Sequence, residues 1–446
     1  MTSKTKHSIY KTSTILFLIG LFSYFFNIGF NALLARHVSH ALFGDFSVAL
    51  RVLNIASVCM LCGTLSSSKR FYSQYLKSNK MDSASKYINW NVRLVFISSL
   101  FVLAVLTLLI IVILCLHLQN IYDIRKYHLL IYFLWLAPIN AITLLISSYL
   151  ICDRDVYLGT FFDAIGFYAF GILLLIPFIY LFHIPFHALD LWFLMLCIFI
   201  FMMIAESLIL FKRIPALLKN SFTSLFSRKS SDNVLEKQWW TVSKRLIINQ
   251  MIYLFVRAAD ILLLAIMSSD KKIVGYYAAA LTVSGIFFVT QTALFQSPSA
   301  LFSSLVYDQS KKQQLQNLIN KTNLMNIILN VALLILIFIF TNPILKLFGA
   351  AFIIAKIPLW ILLGGTLISI LTASAPRLLA YSGYEIYLVY IALAEIVIII
   401  VLGVILIYFY GAIGAALAVV TTSLLRAFAS VYLVRKKIGV KAALVI

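Results

Sequence analysis

Apolar runs of about twenty residues recur along the whole chain, separated by short polar stretches. They fall at 14–36, 45–66, 91–117, 127–151, 157–181, 188–211, 246–268, 273–297, 317–341, 357–381, 386–409 and 411–434. At 1.5 Å per helical residue, each can cross roughly 30 Å of hydrocarbon. The pattern predicts an all-α polytopic membrane protein of about 12 transmembrane helices. The longest polar segment, 212–245, lies in the middle. It divides the chain into an N-terminal six-helix lobe (1–211), a linker, and a C-terminal six-helix lobe (246–446). Pro215 to Phe226 within the linker has the make-up of an amphipathic surface helix.

The two halves resemble each other. Phe43-Gly44-Asp45-Phe46 and Val274-Gly275-Tyr276-Tyr277 each open an even-numbered span after a short loop, and the glycines are 231 residues apart. Asp155-Val156-Tyr157-Leu158 matches Glu385-Ile386-Tyr387-Leu388 at an offset of 230. Six spans per unit mean that both units enter the bilayer from the same side. Parallel repeats of this kind are related by an axis along the membrane normal and usually rock about a central site.

Composition agrees: 63% of the 446 residues are hydrophobic and only 11% are charged. A soluble domain of this size could not bury so much apolar surface. The net charge of +21 is informative through its distribution. With the N-terminus inside, the inner segments hold 24 of the 36 Lys and Arg, and the outer loops hold only Arg36, Arg125, Lys126, Lys271, Lys272, Lys346 and Lys356. The positive-inside rule therefore predicts that both termini are cytoplasmic. Anionic headgroups, rather than nucleic acid, account for the basic balance. Lys4, Lys6 and Lys11 precede the first span as in a signal peptide, but the span is too long for one and no small-residue cleavage site follows. It reads as a retained helix. The five cysteines sit in or at the edges of spans, and the Cys59/Cys62 spacing lacks the context of a redox motif.

Several stretches are similar to a known family. Ala32 to Leu50 (ALLARHVSHALFGDFSVAL) resembles the first-to-second-span signature of polysaccharide exporters, and Arg257 to Leu281 (RAADILLLAIMSSDKKIVGYYAAAL) their seventh-to-eighth-span signature. Phe348 to Phe352 and Tyr410 to Ala416 also match. The resemblance covers nearly the whole chain. It points to the O-antigen and polysaccharide flippases of the multidrug/oligosaccharidyl-lipid/polysaccharide (MOP) exporter superfamily. It implies two six-helix lobes around a central, cation-lined cavity. It also implies a substrate of undecaprenyl-pyrophosphate-linked oligosaccharide, moved across the bacterial inner membrane. Glycosyltransferases and a polysaccharide polymerase would be functional partners, alongside membrane lipids.

The charges left inside the spans are the candidate site. A charge in the bilayer is costly and tends to face a cavity or a partner. Arg257 lies near the midplane of span seven and Arg51 about six residues inside the outer end of span two. A planar guanidinium fork suits a diphosphate, so these are the first substrate-binding candidates, one per lobe. A pair with Asp260 at i+3 is the other role open to Arg257. Ser23, Asn27 and Asn31 share one face of span one. They fit either a sugar-binding stripe or helix–helix hydrogen bonding. Arg93, Arg377 and Glu206 lie near inner ends, where a side chain can snorkel. Asp163, Asp260 and Glu395 are the ion-coupling candidates, for H⁺ or Na⁺. Glu395 and Arg426 lie at matching depths on the last two spans, which predicts an ion pair; unpaired, Arg426 becomes a third candidate for the diphosphate.

His183, His187 and Asp190 cluster, but Pro185 interrupts the helix a metal pair would need, so no metal or other cofactor is expected. No nucleophile–base set or nucleotide loop is present, so no catalytic residue is assigned. A multidrug or small-molecule antiporter of the same superfamily is the main alternative. A membrane glycan polymerase is a weaker one, since it would need a large outer loop.

Overall fold

A computed structural model describes residues 3–78, 80–118, 128–152, 156–181, 186–213, 233–306, 310 and 312–443. These residues form helices and turns, with no β-strand among them. The helices are α1 (Ser3–His37), α2 (His40–Met60), α3 (Thr64–Lys77), α4 (Met81–Leu118), α5 (His128–Leu134), α6 (Ala137–Cys152), α7 (Val156–Phe161) and α8 (Phe167–Leu181). A π turn, Phe162–Gly166, joins the last two. Then come α9 (Ala188–Arg213), α10 (Asn233–Met267), α11 (Lys271–Ser284), α12 (Ile286–Leu305), α13 (Lys312–Ile339), α14 (Thr341–Lys346), α15 (Lys356–Leu371), α16 (Ser374–Tyr381), α17 (Glu385–Tyr410) and α18 (Ala412–Lys437). Eleven stretches among the described residues are long and apolar enough to span a bilayer. This is a multi-pass membrane protein.

The fourth predicted span, 127–151, is interrupted. Its chain turns at Trp135 and Leu136, and Ala137–Cys152 alone is short. Pro138 explains the break: it sits in the first turn of α6, where a missing N–H costs nothing, and it blocks continuation of α5. The span predicted at 357–381 divides likewise at Thr372–Ala373, with Pro376 in the first turn of α16. Backbone freed at such a break must be satisfied from elsewhere in the absence of water. Asn326 Nδ2 donates to the Ile370 carbonyl at 2.9 Å, and an Arg377 N–H donates to the Ala373 carbonyl at 2.6 Å.

The chain forms two compact units: Met1–Gly44 with Phe255–Ile446, and Asp45–Leu254. In the Asp45–Leu254 unit, buried Tyr72, Tyr87, Tyr149 and Trp239 join aliphatic residues of α3, α4 and α6 in one core. Trp239 crosses Tyr87 edge to face at 5.1 Å between centroids, and its indole N–H donates to Tyr75 Oη at 2.9 Å. That is the favoured aromatic geometry, with the polar handle satisfied. Gly63, at φ 81°, lets the backbone turn from α2 into α3 under Ser243; a Cβ there would lie 2.1 Å from the Ser243 carbonyl. No other residue type fits that site without displacing backbone.

In the other unit, α17 and α18 form a hairpin about Gly411, and α18 also packs against α15. Phe295, Phe302, Leu315 and Leu378 anchor its core. Arg36 at the end of α1 donates to the carbonyls of Leu347 and Lys346, capping α14. The starts of α2 and α11 meet backbone to backbone. A Cβ on Gly44 would lie 2.9 Å from the Lys271 carbonyl, and one on Gly275 would lie 2.2 Å from the His40 carbonyl. The contact is reciprocal at the sequence offset of 231, which is the signature of a local two-fold relation between the two helix starts.

Candidate functional site

Arg257 sits in the last third of α10, in the unit of Phe255–Ile446. Its guanidinium lies 3.9 Å from the centroid of the Phe288 ring on α12, and the residue is exposed. Stacking on a ring face is a favourable cation–π contact that also fixes the plane of the fork. Asp260, one turn further along α10, is buried and accepts a hydrogen bond from Tyr277 Oη at 2.8 Å. Arg377, placed by sequence at a snorkelling position, is instead held within the unit. Its guanidinium lies 4.3 Å from the Phe295 centroid, and it caps the α15–α16 break. The hydropathy pattern carries no mark of this role, because the break that supplies the carbonyl is hidden inside one apolar run.

The matched depths of Glu395 and Arg426 do bring them together. Arg426 Nε lies 2.8 Å from Glu395 Oε1, with the Glu side chain 5% exposed and the Arg 43%. The contact is an ion pair rather than an aligned hydrogen bond. Asn27 and Asn31 also meet: Asn31 Nδ2 donates to Asn27 Oδ1 at 2.6 Å and to the Asn27 carbonyl at 2.9 Å. This links the two amides into one half-buried polar spot on α1.

In the Asp45–Leu254 unit, Arg51 is half-buried on α2, on the same face as Asn54. Asn54 Oδ1 accepts from Asn140 Nδ2 at 3.1 Å, and the same amide donates to Ser57 Oγ at 2.9 Å. Asp163 stands exposed in the π turn between α7 and α8. Such turns recur at functional sites. Arg93 is exposed. Glu206 departs from its expected snorkelling. It is fully buried, accepts from Ser147 Oγ at 2.7 Å, and its Oε2 has no hydrogen-bond partner among the described residues. The helix that carries it, α9, packs against α6 and the π turn.

Other predicted features have simpler roles or lie elsewhere. Asp190 accepts from the His187 backbone N–H at 2.7 Å, the reciprocal half of a helix cap on α9. His183 and the 215–226 segment lie outside the described residues. Cys59 and Cys62 are free thiols. Asn323, Asn326 and Asn330 on α13 went unread, although their i, i+3, i+7 spacing marks one helix face. All three are buried. Thr290 Oγ1 donates to Asn330 Oδ1 at 2.6 Å, and Asn323 Nδ2 donates to the Ala442 carbonyl at 2.8 Å. They bind helices to one another, the usual work of amides in membranes.

No family model and no curated protein matches this sequence. Solved structures do match over nearly the full chain. A multidrug resistance MATE family transporter of the MOP superfamily, in an inward-facing conformation, matches with a TM-score of 0.76 at 13% identity, covering 96% of this chain and 98% of that one. The lipid II flippase MurJ matches with a TM-score of 0.64 at 15% identity, covering 94% and 87%. A MATE in complex with MaL6 matches at 0.60 and 11%, covering 97% and 96%. The protein therefore has the all-helical fold shared by MATE transporters and MurJ. The likeness is one of fold, and its named examples are transporters and flippases.

Proposed function

We propose that this protein flips an undecaprenyl-pyrophosphate-linked oligosaccharide, such as an O-antigen or other polysaccharide repeat unit, across the bacterial inner membrane by alternating access. Both termini would be cytoplasmic, as the lysine and arginine distribution requires. The observation that carries the reading is Arg257. A guanidinium held against Phe288 within an apolar helix suits an anionic diphosphate and repels a cationic drug. Arg51, Asn27 and Asn31 are the further candidate contacts for diphosphate and sugar, with Arg426 in reserve behind its ion pair. Asp163, Asp260 and Glu395 are the candidates for H⁺ or Na⁺ coupling; of these, Asp163 is the exposed one. Glycosyltransferases would supply the substrate and a polymerase would consume it.

The test is exposure of lipid-linked glycan on the outer leaflet in a deletion strain complemented with variants. Arg257→Ala should slow flipping about tenfold or more, the worth of a charge-assisted hydrogen bond, at unchanged abundance. Arg257→Lys should restore part of the rate, because the charge returns without the fork. Full activity of Arg257→Ala would remove the reading. The likeness to a multidrug MATE transporter supports the rival reading, an antiporter for drugs or other small molecules. Altered drug susceptibility in the deletion strain, with glycan exposure unchanged, would establish it.

A further inference from the structure

Phe288 and Phe295 lie seven residues apart on α12, two turns along one face. Each carries a guanidinium: Arg257 from α10 at 3.9 Å and Arg377 from α16 at 4.3 Å. The two arginines come from helices far apart in sequence, yet both use the same stripe of one helix as a platform. Between the rings, on the same stripe, Gln291 is buried and its Oε1 faces Ser369 Oγ at 3.4 Å. A polar line thus runs Arg257, Gln291, Arg377 within a single compact unit. Ring stacking holds each guanidinium plane and leaves its N–H groups directed sideways, in the plane of the fork.

The spacing is selective. Seven residues rise about 10.5 Å along the helix axis, which spaces the two ring platforms and sets the scale of the gap between the guanidinium groups they carry. Two charge-assisted hydrogen bonds of about 2.8 Å, one from each end, leave roughly 5 Å between them. That gap is filled by two linked phosphates and not by one. We propose that Arg257 and Arg377 form a two-point clamp on α12 that grips both phosphates of a lipid diphosphate and so discriminates it from a lipid monophosphate. The clamp rests on the reading of this protein as a carrier of diphosphate-linked lipid. It adds to that reading a second residue, Arg377, and a rule of specificity. Phe288 and Phe295 are positioning residues: they orient the guanidinium groups without touching the ligand.

Binding of farnesyl diphosphate, farnesyl monophosphate and farnesol to the purified full-length chain tests it. Wild type should bind the diphosphate at least tenfold tighter than the monophosphate, and either above farnesol. Arg257→Ala and Arg377→Ala should each abolish the preference for diphosphate, leaving monophosphate affinity within about threefold of wild type. Arg377 also caps a helix break, so Arg377→Lys and Phe295→Leu are measured beside it, with the melting temperature of each. Arg377→Lys should keep anion binding but lose most of the discrimination, and Phe295→Leu should halve it or more at a melting temperature close to wild type. Equal wild-type affinity for diphosphate and monophosphate would overturn the clamp. So would full discrimination in Arg377→Lys and Phe295→Leu when Arg257→Ala has lost it. Wild type that binds farnesol as well as either phosphate would instead overturn the underlying reading of an anionic lipid carrier.

Discussion

Each compact unit buries one glutamate, and the two are stabilised in different ways. Glu395 has a cation at 2.8 Å, supplied by the neighbouring helix of a tight hairpin. Glu206 has a single hydroxyl at 2.7 Å and an oxygen with no partner among the described residues. A buried charge needs compensation of several kcal/mol. The Glu395 site supplies it through Arg426, and the Glu206 site does not. Two acids of one type, both inside apolar helices, therefore answer differently to the loss of a neighbour.

The largest effect should follow Arg426→Ala. It strips the cation from a carboxylate that is 5% exposed. Breaking a buried pair from one side costs about 3–5 kcal/mol. Thermal unfolding in detergent should show the loss, and adding Glu395→Ala should recover part of it. A double variant no more stable than Arg426→Ala would end the claim that this pair matters as a pair.

A smaller loss, about 1–2 kcal/mol, is expected for Ser147→Ala, which leaves both Glu206 oxygens without a donor. The same measurement serves, and an unchanged melting temperature would mean that Glu206 finds another donor.

The smallest effect should belong to Glu206→Gln. The amide keeps an acceptor for Ser147 and brings no charge, so stability should stay within about 0.5 kcal/mol of wild type. A loss as large as that of Arg426→Ala would instead reveal a cation bound at Glu206, and the contrast between the sites would collapse.

The reasons the two sites differ also explain what could be read from sequence. Glu395 and Arg426 lie on consecutive helices joined by Gly411, so depth alone fixes their meeting. Glu206 and Ser147 are 59 residues apart on α9 and α6, and depth gave no hint of which helix faces which. Span lengths were legible because about twenty apolar residues have one use in a bilayer. The interruptions at Trp135–Leu136 and Thr372–Ala373 were written in Pro138 and Pro376. Hydropathy averages over such breaks, so the carbonyl that Arg377 caps stayed invisible. Arg257 was legible as a misplaced charge, but its Phe288 platform was not, since one phenylalanine among many carries no mark of its partner.

The π turn at Phe162–Gly166 has a further consequence. One residue more per turn shifts the helix beyond it by about 100° in phase. Span five is therefore a short and a long helix with a dislocation between them, like a crystal row carrying one extra atom. Phe162 and Ile165 are buried while Asp163 is exposed. The side of α7 that packs inward is not continuous with the side of α8 that does so. The extra atom in the row is what lets one unbroken apolar span turn a carboxylate outward near its start and still close its core on either side.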